Sequence, residues 1–464
     1  MESLKKSFDV IVVGAGTGGS TAARFATKGG LDVCLIDRKP KRLIGDKICG
    51  DAIGTEVFDF LQIDPPKGEE LSCHIKGAKL YTPNLQKCIT LTDPKQAGYI
   101  VNRLEFGQRL LNEALDSGVS QFLDNTMVLD LLYDNNQVSG VQVKLDNGIK
   151  TNLNSKIVID ASGFYSPLRK KVKSALIEKE IPKEDAILCY REIVKFSPQD
   201  LKVQDPEYIS IILDKEKAPG GYIWYFPKDS SSVNIGLGAF MHYKGQVKEL
   251  YKKFVFNNYI KTSKVEIISS GGGAVPIRRP LWSCADNGIM LVGDAACQVN
   301  PLHGGGIDPS MRAGYLAANC AKSAINAGDE SIKNLWAYNY EVMTSFGAEF
   351  ASLDLLRMVL QVLNNDELNF GLERDLLTGE EILEISSSGD LNLSLLDMTV
   401  KTFKGISNPN LLLDLNYLRI RMKEISKLYK KFPIDISKFE QWKSSVVQVY
   451  DKVRKMLINP KKVK

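Results

Sequence analysis

The segment Val10-Ile11-Val12-Val13-Gly14-Ala15-Gly16-Thr17-Gly18-Gly19 constrains this chain more than any other. Four β-branched residues in a row favour a fully buried strand, and Gly14, Gly16 and Gly19 then stand at G-x-G-x-x-G spacing. Each glycine has a physical task. Gly14 permits a tight turn, Gly16 lets backbone approach a pyrophosphate, and Gly19 lets the following helix pack on the strand. The helix N-terminus offers free N–H groups and a positive dipole end to the phosphates. A second apolar run, Val33-Cys34-Leu35-Ile36, ends in Asp37, placed to accept from a ribose 2′-hydroxyl. Strand, glycines, Ala-rich helix and acid together read as a dinucleotide-binding unit.

Bulk properties narrow the class. A chain of 464 residues is too long for one simple core, so two or three structural units are expected. The 44% hydrophobic and 25% charged content is that of a soluble globular protein, and a net charge of +5 gives no case for nucleic acid. No run of apolar residues is long enough to span a bilayer, and the first lysines precede the nucleotide strand rather than a signal segment. A cytoplasmic location is expected. The eight cysteines form no C-x-x-C pair and the only histidines are His74, His242 and His303, so neither a disulfide framework nor a metal site is expected.

The nucleotide unit reads as discontinuous. Residues 1–65, 99–168 and 276–330 are expected to form it, with a buried strand returning at Ile289-Met290-Leu291-Val292. Residues 66–98 and 169–275 alternate in short runs broken by Pro and Gly, the texture of an inserted antiparallel sheet. Residues 331–464 are helical and Leu-rich. Leu355, Leu356, Val359, Leu360 and Leu363 fall on one stripe there, either core or a shield for an apolar tunnel. The fold class is therefore α/β: a three-layer Rossmann-type domain, an inserted antiparallel β-sheet domain and a C-terminal helical region.

Four elements converge on a flavin, with FAD as the cofactor. The phosphate loop is the first. Arg103, opening a helix after Tyr99, can clamp a phosphate or ribose. Third, Val292-Gly293-Asp294-Ala295 ends a strand with a carboxylate suited to ribityl hydroxyls. The Gly-rich loop His303-Gly304-Gly305-Gly306-Ile307 then brings amides to the negative edge of a reduced ring. The fourth is Asp46-Lys47-Ile48-Cys49-Gly50-Asp51, where Lys47 gives the Cys49 thiol a positive neighbour.

These residues resemble the para-hydroxybenzoate hydroxylase type of flavoprotein, from the first strand to about residue 330. Within that superfamily the chain is most similar to the geranylgeranyl reductases. Pro219-Gly220-Gly221-Tyr222-Ile223-Trp224-Tyr225-Phe226-Pro227, followed by Gly236-Leu237-Gly238, matches their Y-x-W-x-F-P and G-x-G pattern, and Lys47-x-Cys49-Gly50 matches their loop. Tyr222, Trp224 and Phe226 alternate, so on a strand they face one side and make an aromatic wall. Asp160-Ala161-Ser162-Gly163 departs from the Asp-Gly of many hydroxylases.

The resemblance implies an FAD-dependent reductase that saturates C=C bonds of geranylgeranyl chains in archaeal membrane ether phospholipids. It implies a substrate wall of Tyr222, Trp224, Phe226, Pro227, Gly236 and Gly238, and a proton donor among Cys49, Tyr222 and His303. Gly271-Gly272-Gly273 runs into Pro276 rather than a helix, so no second nucleotide motif is visible. The reductant is then a ferredoxin, transiently bound NAD(P)H or another reduced flavin. A monomer is expected, held peripherally at the inner face of the cell membrane through the basic residues Lys452, Arg454, Lys455, Lys461 and Lys462. Two alternatives share the pattern. One is a flavin monooxygenase or halogenase, although halogenases carry W-x-W-x-I-P where this chain has Tyr222 and Phe226. The other is a non-enzymatic prenyl-lipid escort, which has no need of Asp294 and its glycine loop.

Overall fold

A computed structural model describes residues 4–92, 98–195, 205–256, 265–389 and 409–458. The strand Ser7–Val13 lies inside an eight-stranded sheet, paired in parallel with Val33–Ile36 on one side and Lys150–Asp160 on the other. Lys150–Asp160 pairs in turn with Ile289–Leu291, also in parallel. All four residues of Val33–Ile36 are buried, as expected of a strand covered on both faces. The chain therefore leaves this sheet after residue 160 and returns to it near 289.

Two helices pack side by side on the sheet. Thr17–Lys28 follows the first strand and Ile307–Ala327 follows the last. Their contact depends on small residues: a Cβ on Gly314 would stand 2.3 Å from the Gly18 carbonyl oxygen, and one on Gly18 would stand 2.9 Å from that of Ser310. Thr17 and Ser310 hydroxyls bond at 2.9 Å across the same seam.

Five strands of that excursion join two from an earlier one, made between Val33–Ile36 and Gln121–Leu123, in a seven-stranded sheet in the order Glu266–Pro276, Ala186–Lys195, Ser232–Phe240, Gly220–Pro227, Tyr208–Ile212, Gly77–Tyr81 and Cys88–Thr92. It is antiparallel except where Tyr208–Ile212 meets Gly77–Tyr81. Period-two alternation divides its faces. One carries Tyr190, Ile223, Tyr225, Ile235 and Leu237 into a core of their own with Tyr251. The other turns Cys189, Tyr222, Trp224 and Phe226 toward Ile75 and Ile100 of a small sheet formed by Ala52–Gly54, Gly98–Val101 and Leu71–Ile75.

Beyond residue 330 the described residues are helical. Leu355, Leu356 and Val359, on the helix Phe346–Val362, are buried in the main core with Leu418, Met422 and Ile425 of Pro409–Lys430. These three residues of the stripe are thus core, with Leu360 partly buried against it and Leu363 past the helix end. Their neighbour Asp354 is buried and accepts from Tyr450 Oη at 2.7 Å, the Arg279 amide at 3.1 Å and Arg357 Nη2 at 2.6 Å. That carboxylate ties the helix Phe439–Ile458 to the loop leaving the seven-stranded sheet. No helix of the described residues is long and apolar enough to cross a membrane.

Candidate active site

The phosphate loop takes the shape its glycines require. Gly14 has φ +98° and donates to the Ile36 carbonyl at 2.7 Å, and a Cβ there would sit 2.5 Å from the Ala161 oxygen. A Cβ on Gly19 would fall 1.7 Å from the Gly14 oxygen, so that glycine lets helix meet turn. Gly16 differs: nothing lies within 4 Å of its Cβ position, which opens into space beside the helix N-terminus. Asp37 braces the loop, accepting from the Ala15 amide at 2.7 Å and the Lys39 amide at 2.8 Å. Asp160, by contrast, is fully buried and accepts from Ser162 and Ser166, so it fastens the 160–166 turn.

Arg103 is the first helical residue of Arg103–Asp116 and only 7% exposed, yet its Nε and Nη1 have no partner. A buried guanidinium left unpaired is costly, and a phosphate or ribose oxygen would satisfy it. On the opposite wall Asp294 sits in the turn Gly293–Ala296. Gln298 Oε1 accepts from the Gly293 amide at 2.7 Å, and Gln298 Nε2 donates at 2.9 Å to Tyr338, which donates to the Leu291 carbonyl. Asn300 organises the glycine loop, accepting from the Leu302 amide and from that of Gly304. Gly305 turns its amide to His303 Nδ1 at 3.1 Å, whereas Gly306 and Ile307 open the long helix with amides that find no acceptor among the described residues. The open Gly16 cradle, the unpaired Arg103 and these free amides fit the phosphates and ring of FAD.

The Cys49 loop closes the gap between these walls. Lys47 Nζ donates to Asp294 Oδ2 at 2.9 Å, and that carboxylate, ahead of every other influence, holds the lysine charged. Lys47 and His303 are exposed and Tyr222 is half-buried, with protein packed densely around each. Burial lowers the His303 imidazole to about 4, so the ring is neutral near pH 7 with its proton on Nε2. Tyr222 donates its hydroxyl to the His303 carbonyl at 2.6 Å, and burial pushes its phenol well above the usual tyrosine range.

Along Gly220–Pro227 the rings form a ladder: Tyr222 to Trp224 at 6.0 Å and Trp224 to Phe226 at 6.4 Å between centroids. Gly236 is a glycine because the Trp224 indole lies across it, 2.2 Å from where a Cβ would be. Gly50 yields likewise to Phe226, at 2.5 Å, and Gly238 to Ile187, at 2.8 Å. Pro227 ends the strand, and its carbonyl accepts from Cys73 Sγ at 3.4 Å. The apolar wall and the cofactor cradle therefore meet at residues 47–50.

Known proteins match the chain along this same division. Residues 9–164 match the FAD dependent oxidoreductase family and residues 185–275 the geranylgeranyl reductase catalytic domain. The digeranylgeranylglycerophospholipid reductase of Sulfolobus acidocaldarius is 38% identical, over 98% of this chain and 100% of that protein. The chain belongs to the geranylgeranyl reductase family. A second reductase of that name, from Methanothrix thermoacetophila, is 33% identical over 78% of this chain and 89% of its own. In structure, a geranylgeranyl bacteriochlorophyll reductase-like protein of Thermoplasma acidophilum superimposes with a TM-score of 0.75 at 26% identity, covering 89% of this chain and 100% of that one. A myxobacterial chondrochloren halogenase shares the fold alone, with a TM-score of 0.61 at 16% identity over 86% and 97% of the two chains. The reductase is thus an FAD-dependent oxidoreductase acting on C=C bonds.

Several groups at the site escaped the sequence reading. Cys189 lies across from Gly238 and Gly273 in the sheet, and burial pushes its thiol up to about 12, with Cys49 close enough to add to the shift. Asp51, Lys228 and Asn234 form a buried polar knot behind the Cys49 loop. Aromatic alternation marks Trp224 in the sequence, whereas nothing local marks Asn234.

Proposed function

We propose that this reductase saturates the geranylgeranyl chains of archaeal digeranylgeranylglycerophospholipids, working as a monomer that docks reversibly on the membrane surface. One observation carries the reading: a loop thiol, Cys49, stands where an aromatic wall abuts a flavin cradle. In this reading Gly14, Gly16 and Gly19 bring the helix amides to the pyrophosphate, Asp37 takes a ribose hydroxyl and Arg103 a phosphate. Asp294, fixed by Lys47, takes the ribityl chain, while Gly305, Gly306 and Ile307 edge the ring. Bound reduced FAD supplies hydride.

An isolated alkene has no polarising group, so the protein's share of catalysis is positioning, exclusion of water and a proton at the second carbon. Tyr222, Trp224 and Phe226, with Pro227, Gly236 and Gly238, hold the chain. Tyr222 has its hydroxyl proton engaged by the His303 carbonyl, and His303 is neutral; both facts favour Cys49 as the donor. Electrons enter from a ferredoxin or from NAD(P)H bound in passing. Mass spectrometry of lipids after coexpression with an unsaturated ether-lipid pathway tests the reading. Gains of two mass units per double bond are expected, and an unaltered lipid profile with flavin-loaded, chemically reduced enzyme refutes it.

The membrane contact draws on the C-terminal region. Lys452 and Arg454 are partly occupied by Glu424 and Asp451, while Lys461 and Lys462 lie outside the described residues. Ile434 and Ile458 are 78% and 76% exposed nearby in sequence. Flotation with anionic vesicles that weakens with salt is the expected outcome; absence of flotation at low salt rules out docking through charge.

A further inference from the structure

We infer that Asn234 is a positioning residue that sets the Cys49 loop against the aromatic wall. Its side chain is fully buried on the strand Ser232–Phe240, and it makes three hydrogen bonds, to Trp224, Cys49 and Asp51. The amide oxygen accepts from Trp224 Nε1 at 3.0 Å. The amide nitrogen donates to the Cys49 carbonyl at 2.7 Å and to Asp51 Oδ2 at 3.0 Å. The opposite orientation of the amide would set NH₂ against the indole N–H and oxygen against two acceptors, so only one orientation is compatible with its neighbours.

The other half of the knot holds the loop's far end. Asp51 is 2% exposed and sits at φ +70°, in the left-handed region that aspartate enters more readily than most residues. Lys228 supplies the counter-charge, donating to Asp51 Oδ2 at 3.0 Å and to the Val101 carbonyl at 2.7 Å. The loop is therefore clamped on both sides of Gly50, whose missing side chain admits Phe226. Of the three rings that flank the bound chain in the reading above, Phe226 meets the loop at Gly50 and Trp224 reaches it through Asn234. Through Asn234, movement of the Trp224 indole is passed directly to the backbone carrying the thiol.

Asparagine is the only common residue that meets these demands. Asn234→Asp keeps the shape but turns an oxygen toward the Cys49 carbonyl and the Asp51 carboxylate. Asn234→Ala leaves the indole N–H and the Cys49 carbonyl without partners. The isosteric change is thus expected to be no milder than the truncation, which a purely space-filling role would not produce.

The experiment uses FAD-loaded full-length protein and reads alkylation of Cys49 by iodoacetamide, followed by peptide mass spectrometry, with exposed Cys88 as internal reference. Loss of one buried hydrogen bond is worth about 1 kcal/mol, so both Asn234 variants should change the Cys49 rate relative to Cys88 by about fivefold or more. FAD content is expected to hold, because Asn234 is placed at the loop and the wall and not in the cradle. A wild-type Cys49 rate in either folded variant overturns the inference. If neither folds, Trp224→Phe removes only the indole donor, and an unaltered Cys49 rate there overturns it equally. The inference rests on the proposed role of Cys49, but the two fail separately. Altered alkylation with unaltered turnover upholds Asn234 and removes Cys49 as donor, whereas unaltered alkylation removes Asn234 whatever turnover does.

Discussion

Replacing Gly16 with valine separates the fold of the phosphate loop from its ligand. The Cβ at Gly16 meets nothing within 4 Å and its φ of −69° is open to any residue, so the unliganded protein has room for the side chain. What remains is the change at a helix N-cap, where glycine is better than valine by about 1 kcal/mol at most. The space the side chain fills is the space beside the helix N-terminus that the pyrophosphate requires. With FAD at a hundred times its dissociation constant, wild-type protein gains about 2.7 kcal/mol of stability from binding. Urea unfolding followed by circular dichroism, with and without FAD, should show that increment vanish in Gly16→Val while the unliganded midpoint moves little. Gly19→Ala is the control: its Cβ would lie 1.7 Å from the Gly14 oxygen, so the unliganded protein itself should lose about 1–3 kcal/mol. Wild-type flavin content in purified Gly16→Val, or an unliganded loss matching that of Gly19→Ala, refutes the reasoning.

Other outcomes follow from groups at and behind the site. Cys49→Ser should keep FAD and lower turnover about 10²–10⁴-fold, as loss of a general acid does; near-normal turnover assigns the thiol to packing. Asp354→Ala strands Tyr450 and the Arg279 amide, leaves Arg357 with Asp185 as its one carboxylate, and should cost about 2–4 kcal/mol in urea, with Asp354→Asn milder; a loss under about 1 kcal/mol refutes the buried anchor. Burial, then Asp308 and Glu56, raise Glu349 to about 8 against the opposing pull of Arg312. The folded protein therefore keeps a proton that the unfolded chain has lost between the ordinary carboxylate range and pH 8. Stability should fall as pH rises through that window. Glu349→Gln should flatten that part of the profile, and an unchanged slope would remove Glu349 as its source.

Local chemistry was legible in the sequence wherever a function needs a short run of residues. The Gly14–Gly19 turn, the Asp294 turn with its glycine loop, and the alternating Tyr222, Trp224 and Phe226 each occupy one stretch of chain. Asn234 is different: its partners Cys49 and Asp51 lie 185 and 183 residues away, and nothing in Val-Asn-Ile marks that asparagine as buried. Cys189 likewise shows its relation to Cys49 only once two separate segments face each other. The stripe of Leu355, Leu356 and Val359 has the same period whether it faces lipid or core. Only its packing on Pro409–Lys430 decides. The sequence sets Lys47 beside the Cys49 thiol; the fold gives its ammonium to Asp294 first, with Cys49 near enough to add a smaller influence.

The seam between Thr17–Lys28 and Ile307–Ala327 has a consequence for biosynthesis. The first strand and its phosphate loop leave the ribosome early, but the helix that completes the cradle, through Gly314 against Gly18, is made some three hundred residues later. At about 5–20 residues per second, that interval spans on the order of fifteen to sixty seconds. During it the strand Lys150–Asp160 lacks its neighbour Ile289–Leu291, and the glycines lack the wall opposite them. Flavin loading is consequently a late event, and a nascent chain stalled before residue 307 would expose the apolar flank of the first helix to chaperones.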